Sequence, residues 1–578
     1  MKQLFVTIVA LSMCFSTSWA QLTIDGKKLA YDKLTESYLL TVPQSAFGNA
    51  CEFPVVIDDT VSWVIVNNKR LESTLELPYV GGDASYTMYI SHNKVLTKTT
   101  LRFTCMPILQ MEGDFNTEYT HGKVQMTLPD EHQTSDYNAR IKWAGGTTLY
   151  DWIQKHNYHI KFVDDNGEKL DVSFFGLRSD NHWRLDAGII DMLRFRNKVA
   201  HALWADMDSK PYYADKQPNA RNYSRGEHIE VFLNDQYMGF FDMTEFLDRK
   251  QMKLKKYDDE LGVFHGFMWK GKEHSRQTLF RQDSVLDNTS DHWAGFDLMY
   301  PDIDDVNPTD YSLLNNAIGF VAESDDETFA QEVGDYFDLP VLADYYIFMH
   351  TLFAIDNTCK NIIWSCYDSA KDKKLTLSVW DLEATVGQHW YVAEGLYRAP
   401  EIQPENEFET CRFTALSRNK LFMRLKELPV FKSRVKSRYW QLRKTVLHPD
   451  YMIARYKAVF DALEYSGALE RERERWTGSP DIANRPLDFY EEFEYLSDWI
   501  RRRIVFLDNN TFAGMPGDVD DDGVINVYDV AMLIDYLLSG RADGINVDNT
   551  DVNGNGKTSI EDLTALVDLI IGGNLAHK

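Results

Sequence analysis

Short apolar runs separated by Gly, Asn and Asp turns dominate the first hundred residues. Tyr38-Leu39-Leu40, Phe53-Pro54-Val55-Val56-Ile57, Val61-Ser62-Trp63-Val64-Ile65-Val66 and Ser85-Tyr86-Thr87-Met88-Tyr89-Ile90 recur at strand length. Regularly spaced short strands of this kind predict an all-β sandwich over 21–113. From Asp114 the pattern becomes mixed. Residues 140–144 read as a strand entering a turn at Gly145-Gly146, and 159–163 as a second strand. Asp191 stands where a helix N-cap is expected, and 230–241 as a hairpin turning at Asn234-Asp235. Beyond Asp310 helical periodicity takes over, with 342–353 apolar, 421–447 amphipathic and interrupted at Pro429, and 490–507 closing the unit. The charge-dense block 470–476 reads as a solvated helix face laced with ion pairs. This order predicts an α+β domain over 114–508, a Gly/Pro linker over 509–516, and a small helical domain over 517–578.

Charge and termini narrow the setting. A formal net charge of -27 over 578 residues argues against nucleic-acid binding, which wants a basic footprint. Met1-Lys2, an apolar run over 4–15 and Ser18-Trp19-Ala20 form the pattern of a secretory signal peptide over 1–20, so the mature protein is expected outside the cytoplasm. No later apolar run has the length of a membrane span. Beyond Cys14, five cysteines remain, of which Cys51 and Cys105 share the strand-rich segment and form a candidate disulfide.

The C-terminal region carries a repeat. Asp518, Asp520, Asp522, Asn526 and Asp529 recur as Asp551, Asn553, Asn555, Ser559 and Asp562, with Gly523 and Gly556 at the sharp turn. Oxygen side chains at loop positions 1, 3, 5, 9 and 12 make the cage that Ca²⁺ requires, so two calcium sites are expected. Each loop feeds an apolar helix, 527–538 and 560–571, and neither is preceded by an entering helix. In these features the region resembles the dockerin family. The resemblance implies attachment to a cohesin-like or cell-surface protein. Partner choice in dockerins lies largely at loop positions 10 and 11, here Val527-Tyr528 and Ile560-Glu561.

The central domain holds an ordered set of polar residues. Asp356 is followed by Asn361, then by a hairpin pattern, then by Asp381-Leu382-Glu383 closing on Gly387. Kinase-like folds place a hydroxyl-orienting Asp, a metal-binding Asn and a metal-binding Asp in that order. Together with the Gly turn, His159-Ile160-Lys161-Phe162, Asn181-His182-Trp183-Arg184-Leu185 and Leu193-Arg194-x-Arg196-Asn197, the segment resembles the CotH family of atypical protein-kinase fold. The resemblance implies transfer of the ATP γ-phosphoryl group to a protein Ser or Thr, with Mg²⁺ or Mn²⁺. In that scheme Asp356, Asn361 and Asp381 are catalytic, with Asp381 and Asn361 holding the metal. Lys161, Gly145 and Gly146 would meet the nucleotide. The alternative is a non-catalytic binding or structural part of an extracellular polysaccharide-degrading complex.

Overall fold

The structure is a computed structural model and describes residues 22–575 apart from 59–60, 93–94, 151 and 391–397. The expected signal peptide lies outside the described residues. Between Leu22 and Thr104 the short strands assemble into a four-stranded and a six-stranded sheet. Their inward positions, among them Ile24, Leu40, Val64, Leu75, Met88 and Phe103, share one apolar core. Cys51 and Cys105 are both free thiols, so the candidate disulfide is not formed. The Cys51 thiol instead donates to the Ala46 carbonyl at 3.4 Å.

Seven strands then close into a barrel: β1 (Ile108–Glu112), β2 (Thr120–Thr127), β3 (Thr134–Ala144), β4 (Asn157–Val163), β5 (His182–Asp186), β6 (Gly226–Leu233) and β7 (Gln236–Glu245). Their order is β1-β2-β3-β4-β5-β7-β6, and a parallel β1–β6 pair completes the ring, which removes open strand edges. β1 lies on the N-terminal side of residue 113, and its register, Ile108 opposite Glu230, assigns it to the barrel. Period-two alternation sets the two faces. Tyr158, Ile160 and Phe162 on β4 and Trp183 and Leu185 on β5 join the core, leaving His159, Lys161, His182, Arg184 and Asp186 on the opposite face. Between β5 and β6 sits helix α1 (Arg196–Asp206). It begins after Asp191, not at it. The Asp191 carboxylate accepts from the Leu193 and Arg196 amides at 2.9 and 2.6 Å and pairs with the Arg196 guanidinium.

The second half packs against that polar face. Strands β8 (Phe267–Gly271), β9 (His292–Trp293) and β10 (Phe296–Tyr300) precede the buried helix α2 (Leu339–Leu352), and β11 (Ile362–Cys366) with β12 (Thr376–Val379) complete a sheet ordered β9-β10-β8-β11-β12. The expected break at Pro429 separates the helix Lys420–Leu425 from α3 (Pro429–Arg443). Helix α4 (Ala468–Trp476) departs from the solvated face its composition suggested. Only part of it is solvated: Glu470 and Arg473 pair at the surface, whereas Arg471, Glu472 and Trp476 are buried. Glu472 accepts from Lys155 Nζ at 2.8 Å, Arg194 Nε at 3.0 Å and the Phe240 amide at 3.1 Å, tying the helix to the barrel. Gly239, at φ +97°, makes room for it, since a Cβ there would lie 1.9 Å from Glu472 Oε2.

Helix α5 (Phe489–Asn509) ends the central unit. Helices α6 (Val527–Ser539) and α7 (Ile560–Leu575) then pack around Val519, Leu533 and Leu566.

Candidate functional site

The hairpin register builds the centre of the site. Ile362 on β11 pairs with Val379 on β12, so the residues just outside the ladder, Asn361 before it and Trp380-Asp381 after it, emerge side by side. Asn361 and Asp381 both adopt left-handed backbone conformations, at φ 60° and 57°. Non-glycine residues held there are uncommon and concentrate at functional sites. Helix α2 delivers Asp356 to the same place, turning at its C-cap Phe353. Asn361 Nδ2 donates to Asp356 Oδ2 at 2.9 Å, and Lys360 Nζ reaches the same oxygen at 3.0 Å. Asn357 Nδ2 donates to the Trp380 carbonyl at 2.7 Å, bracing the two segments against each other. Burial, reinforced by the Asp381 charge and opposed by Lys360, pushes the Asp356 carboxyl up to about 6. Among the described residues the Asp381 carboxylate has neither a hydrogen bond nor an ion pair, and Asn361 Oδ1 accepts no hydrogen bond. A half-buried carboxylate and an amide oxygen left open beside each other are a donor set suited to a hard divalent cation.

Strand β5 supplies what the sequence reading overlooked. Counted from the Gly turn, β5 is the third strand, the place where the protein-kinase scheme puts its phosphate-pairing cation. Here that strand carries Arg184. The Arg184 side chain is buried, lies over the Trp380 ring at 4.9 Å and is 3.7 Å from Asp186. Burial disfavours its charge, but Asp186, Asp381, Glu383 and Asp242 outweigh that and raise its pKa. Burial, followed by the charges of Asp186 and Asp381, pushes the Glu383 carboxyl well above its ordinary range. Asp186 is held low, against its own burial, by Arg184 and by hydrogen bonds from Glu383 and Asn197. Asn197 on α1 locks the arrangement. Its Nδ2 donates to Asp186 Oδ2 at 2.5 Å and its Oδ1 accepts from the Leu382 amide at 3.0 Å. Lys270 on β8 also faces Asp381, with its pKa lowered by burial. Polar residues at every second position of β5, between core Trp183 and Leu185, were the available signal.

Gly145 and Gly146 follow β3 at the end of the sheet where Asp186 leaves β5, beside Asn157, whose Oδ1 accepts from the Ala187 amide at 2.7 Å. Gly145 has φ +100°, and a Cβ there would meet Thr148 Oγ1 at 2.4 Å, whereas Gly146 faces open space. Lys161 is not grouped with Asp356, Asn361 and Asp381. It lies on the second strand opposite His182, with Nζ 4.5 Å from the Tyr119 ring centroid. The charged groups acting on it most are Lys142, Asp302, Lys169 and Arg140.

The family model for CotH kinase protein matches residues 144–507, well over half of the chain. The chain belongs to the CotH kinase protein family. The matched range includes the Gly turn, β4 to β12, and Lys161, Arg184, Asp186, Asp356, Asn361, Asp381 and Glu383. A model for the dockerin type I domain matches residues 516–570. No curated protein matches the chain.

Dockerin domains bind cohesin partners and calcium, and the loops fit that role. In the first loop the carboxylate oxygens of Asp518, Asp520 and Asp522 lie within 4.8 Å of one another. Asn526 caps α6 through the Tyr528 amide, and buried Asp529 accepts from the Val519 and Asn526 amides at 2.6 and 2.7 Å. The second loop repeats the scheme. Asp551 accepts from the Gly554, Asn555 and Gly556 amides, and Asp562 from those of Asn553 and Ser559, while Asn553 and Asn555 lie exposed. Asp551 also receives the Ser433 hydroxyl of α3, and Lys436 of that helix donates to Asn549 at 2.8 Å, so the second loop rests on the CotH domain. Val527, Tyr528 and Ile560 are exposed. Among the described residues no helix is long and apolar enough to cross a membrane.

Proposed function

We propose that this protein is an exported phosphotransferase that moves the γ-phosphoryl group of ATP to a Ser or Thr hydroxyl of a protein and is tethered to an extracellular assembly through its dockerin domain. The observation that carries the reading is the meeting of Asp356, Asn361 and Asp381 at the mouth of one hairpin, opposite buried Arg184 on β5, the third strand counted from the Gly turn. Asp356 is the group that orients the acceptor hydroxyl and takes its proton, and its raised pKa makes it a better base than an ordinary aspartate. Asp381 and Asn361 Oδ1 are the donors for Mg²⁺ or Mn²⁺, which when bound neutralises phosphate charge. Arg184 approaches the Asp381 carboxylate from the barrel and Lys270 from β8, in the same sheet as the hairpin, and both are placed to pair with phosphate oxygens. Asn197 and the Glu383–Asp186 pair hold Arg184 and Leu382 in position. The Gly145-Gly146 turn lies at the Asp186 end of this barrel face.

The test is transfer of label from γ-labelled ATP to secreted proteins, with Mg²⁺ or Mn²⁺, by the intact protein and by Asp381→Asn, Asp356→Asn and Arg184→Met. Transfer by the intact protein that disappears in the two aspartate variants and falls in the arginine variant is expected. No transfer by the intact protein, or equal transfer by all four, refutes the assignment and leaves the domain a binding component of the assembly.

A further inference from the structure

A second group of cations lies on the same barrel face: Arg140 and Lys161 stand one repeat further along the strands than Arg184, and Lys142 stands in its row, across His159. Lys161 Nζ and Lys142 Nζ sit 4.5 and 4.8 Å from the centroid of the Tyr119 ring, and the Arg140 guanidinium carbon sits 5.9 Å from it. The β3–β4 register explains the convergence, since Arg140 is opposite Lys161 and Lys142 is opposite His159. The Tyr119 hydroxyl is 3.4 Å from His182 Nε2, so the ring is anchored to β5 as well. The two ammonium groups are therefore within about 9 Å of one another on regular strands.

This group has no bridging carboxylate, and the charge of Asp302 acts on Lys161 without forming an ion pair. In a chain with 88 acidic and 61 basic residues, basic side chains find carboxylates readily. On the same barrel and its flanks, Arg178 pairs with Asp180 and Asp248, Lys198 with Asp242, Arg221 and Arg225 with Glu245, and Lys250 with Asp180. Among the described residues, Arg140, Lys142 and Lys161 form no ion pair. Burial, followed by the charge of Lys142, lowers the Lys161 pKa. Burial and then Lys161 and Lys142 push His182 down to about 3, so that ring stays neutral in a positive field. Cation–ring contacts hold the charged side chains at the Tyr119 face but bring no negative charge to them.

We propose that Arg140, Lys142, Lys161 and Tyr119 form a phosphate-binding site distinct from the one served by Arg184 and Asp381. Three fixed cations match a dianionic phosphate, free or esterified, better than a carboxylate or sulfate ester, each of which carries one charge. Successive same-face residues on β5 are about 7 Å apart, which sets the row of Arg140, Lys161 and His182 one repeat from that of Arg184. The label "distinct" rests on the proposed reading of the Arg184 site. The binding itself does not.

The experiment is calorimetric titration of the full chain, in calcium, with inorganic phosphate, phenyl phosphate and phenyl sulfate. Lys142→Met/Lys161→Met keeps the aliphatic stems against Tyr119 and removes the charge, and Lys142→Arg/Lys161→Arg restores it. Affinity for phenyl phosphate is expected to fall about tenfold or more in the Met variant, to return in the Arg variant, and to stay unchanged in Asp381→Asn. Inorganic phosphate binding as tightly as phenyl phosphate assigns the site to free phosphate; weaker binding assigns it to an esterified one. Affinity that survives the Met substitutions, or that is lost equally in Asp381→Asn, overturns the proposal. So does phenyl sulfate binding as tightly as phenyl phosphate. Failed phosphoryl transfer with intact phosphate binding would remove the kinase reading alone.

Discussion

Replacing Glu472 by alanine is expected to be among the most damaging single changes in the central domain, although the residue lies in a block of alternating Glu and Arg. Its carboxylate is fully buried between Lys155 Nζ and Arg194 Nε, at 2.8 and 3.0 Å, and also accepts from the Phe240 amide. Removing one partner of a buried ion pair costs about 3–5 kcal/mol because the remaining charge stays desolvated. Here two cations and a backbone N–H lose their acceptor together, which puts the loss at the upper end, about 5 kcal/mol. Glu470, two residues away, supplies the control. Its pair with Arg473 is half exposed at both ends, so Glu470→Ala is expected to cost about 0–1 kcal/mol. Urea unfolding followed by tryptophan fluorescence, in calcium so that the C-terminal domain stays folded, reads both variants on one scale. Trp476, in the same helix, is buried and reports on it. A shifted midpoint with an unchanged slope is expected for Glu472→Ala. If the two variants lose stability to within about 1 kcal/mol of each other, the reasoning from buried charge fails.

Chelation of calcium should unfold the C-terminal domain while leaving the barrel intact, because the clustered carboxylates of Asp518, Asp520 and Asp522 repel without a cation; loss of helical circular dichroism confined to 514–578 checks this. Asp338 is raised from 3.8 to about 6, chiefly by burial. The stability that this raised pKa contributes is full below pH 3.8 and is lost as pH rises through about 6. Asp338→Asn should therefore remove about 1.4 kcal/mol of the stability that the protein gains between pH 8 and pH 5, measured by denaturant unfolding at both. Gly387 has φ +75°, and a Cβ there would lie 2.6 Å from the Tyr495 hydroxyl and 2.7 Å from Trp499. Gly387→Ala should cost about 1–3 kcal/mol in thermal unfolding and, on the proposed reading, reduce phosphoryl transfer by displacing Asp381.

Local patterns carried much of this protein. The calcium loops were legible because their ligands fall within twelve residues, so spacing alone defines the cage. The strands and helices were legible from period-two and helical alternation, as was the break at Pro429. Asp356, Asn361 and Asp381 were legible as an order, since one helix end and one hairpin bring them together. The partners of charged residues were not. Arg184 faces Asp381, Lys161 gathers with Lys142 and Arg140, and Glu472 is buried under Lys155 and Arg194 only because the barrel closes and the helices pack on it. Alternation tells which residues share a face, but not what the face will meet. Whether a charge ends solvated, paired or stranded depends on groups brought near by long-range packing. For that reason the sequence could bring Asp356, Asn361 and Asp381 forward as an ordered group, and only the tertiary structure could say which cations lie near them and which, among the described residues, form no ion pair.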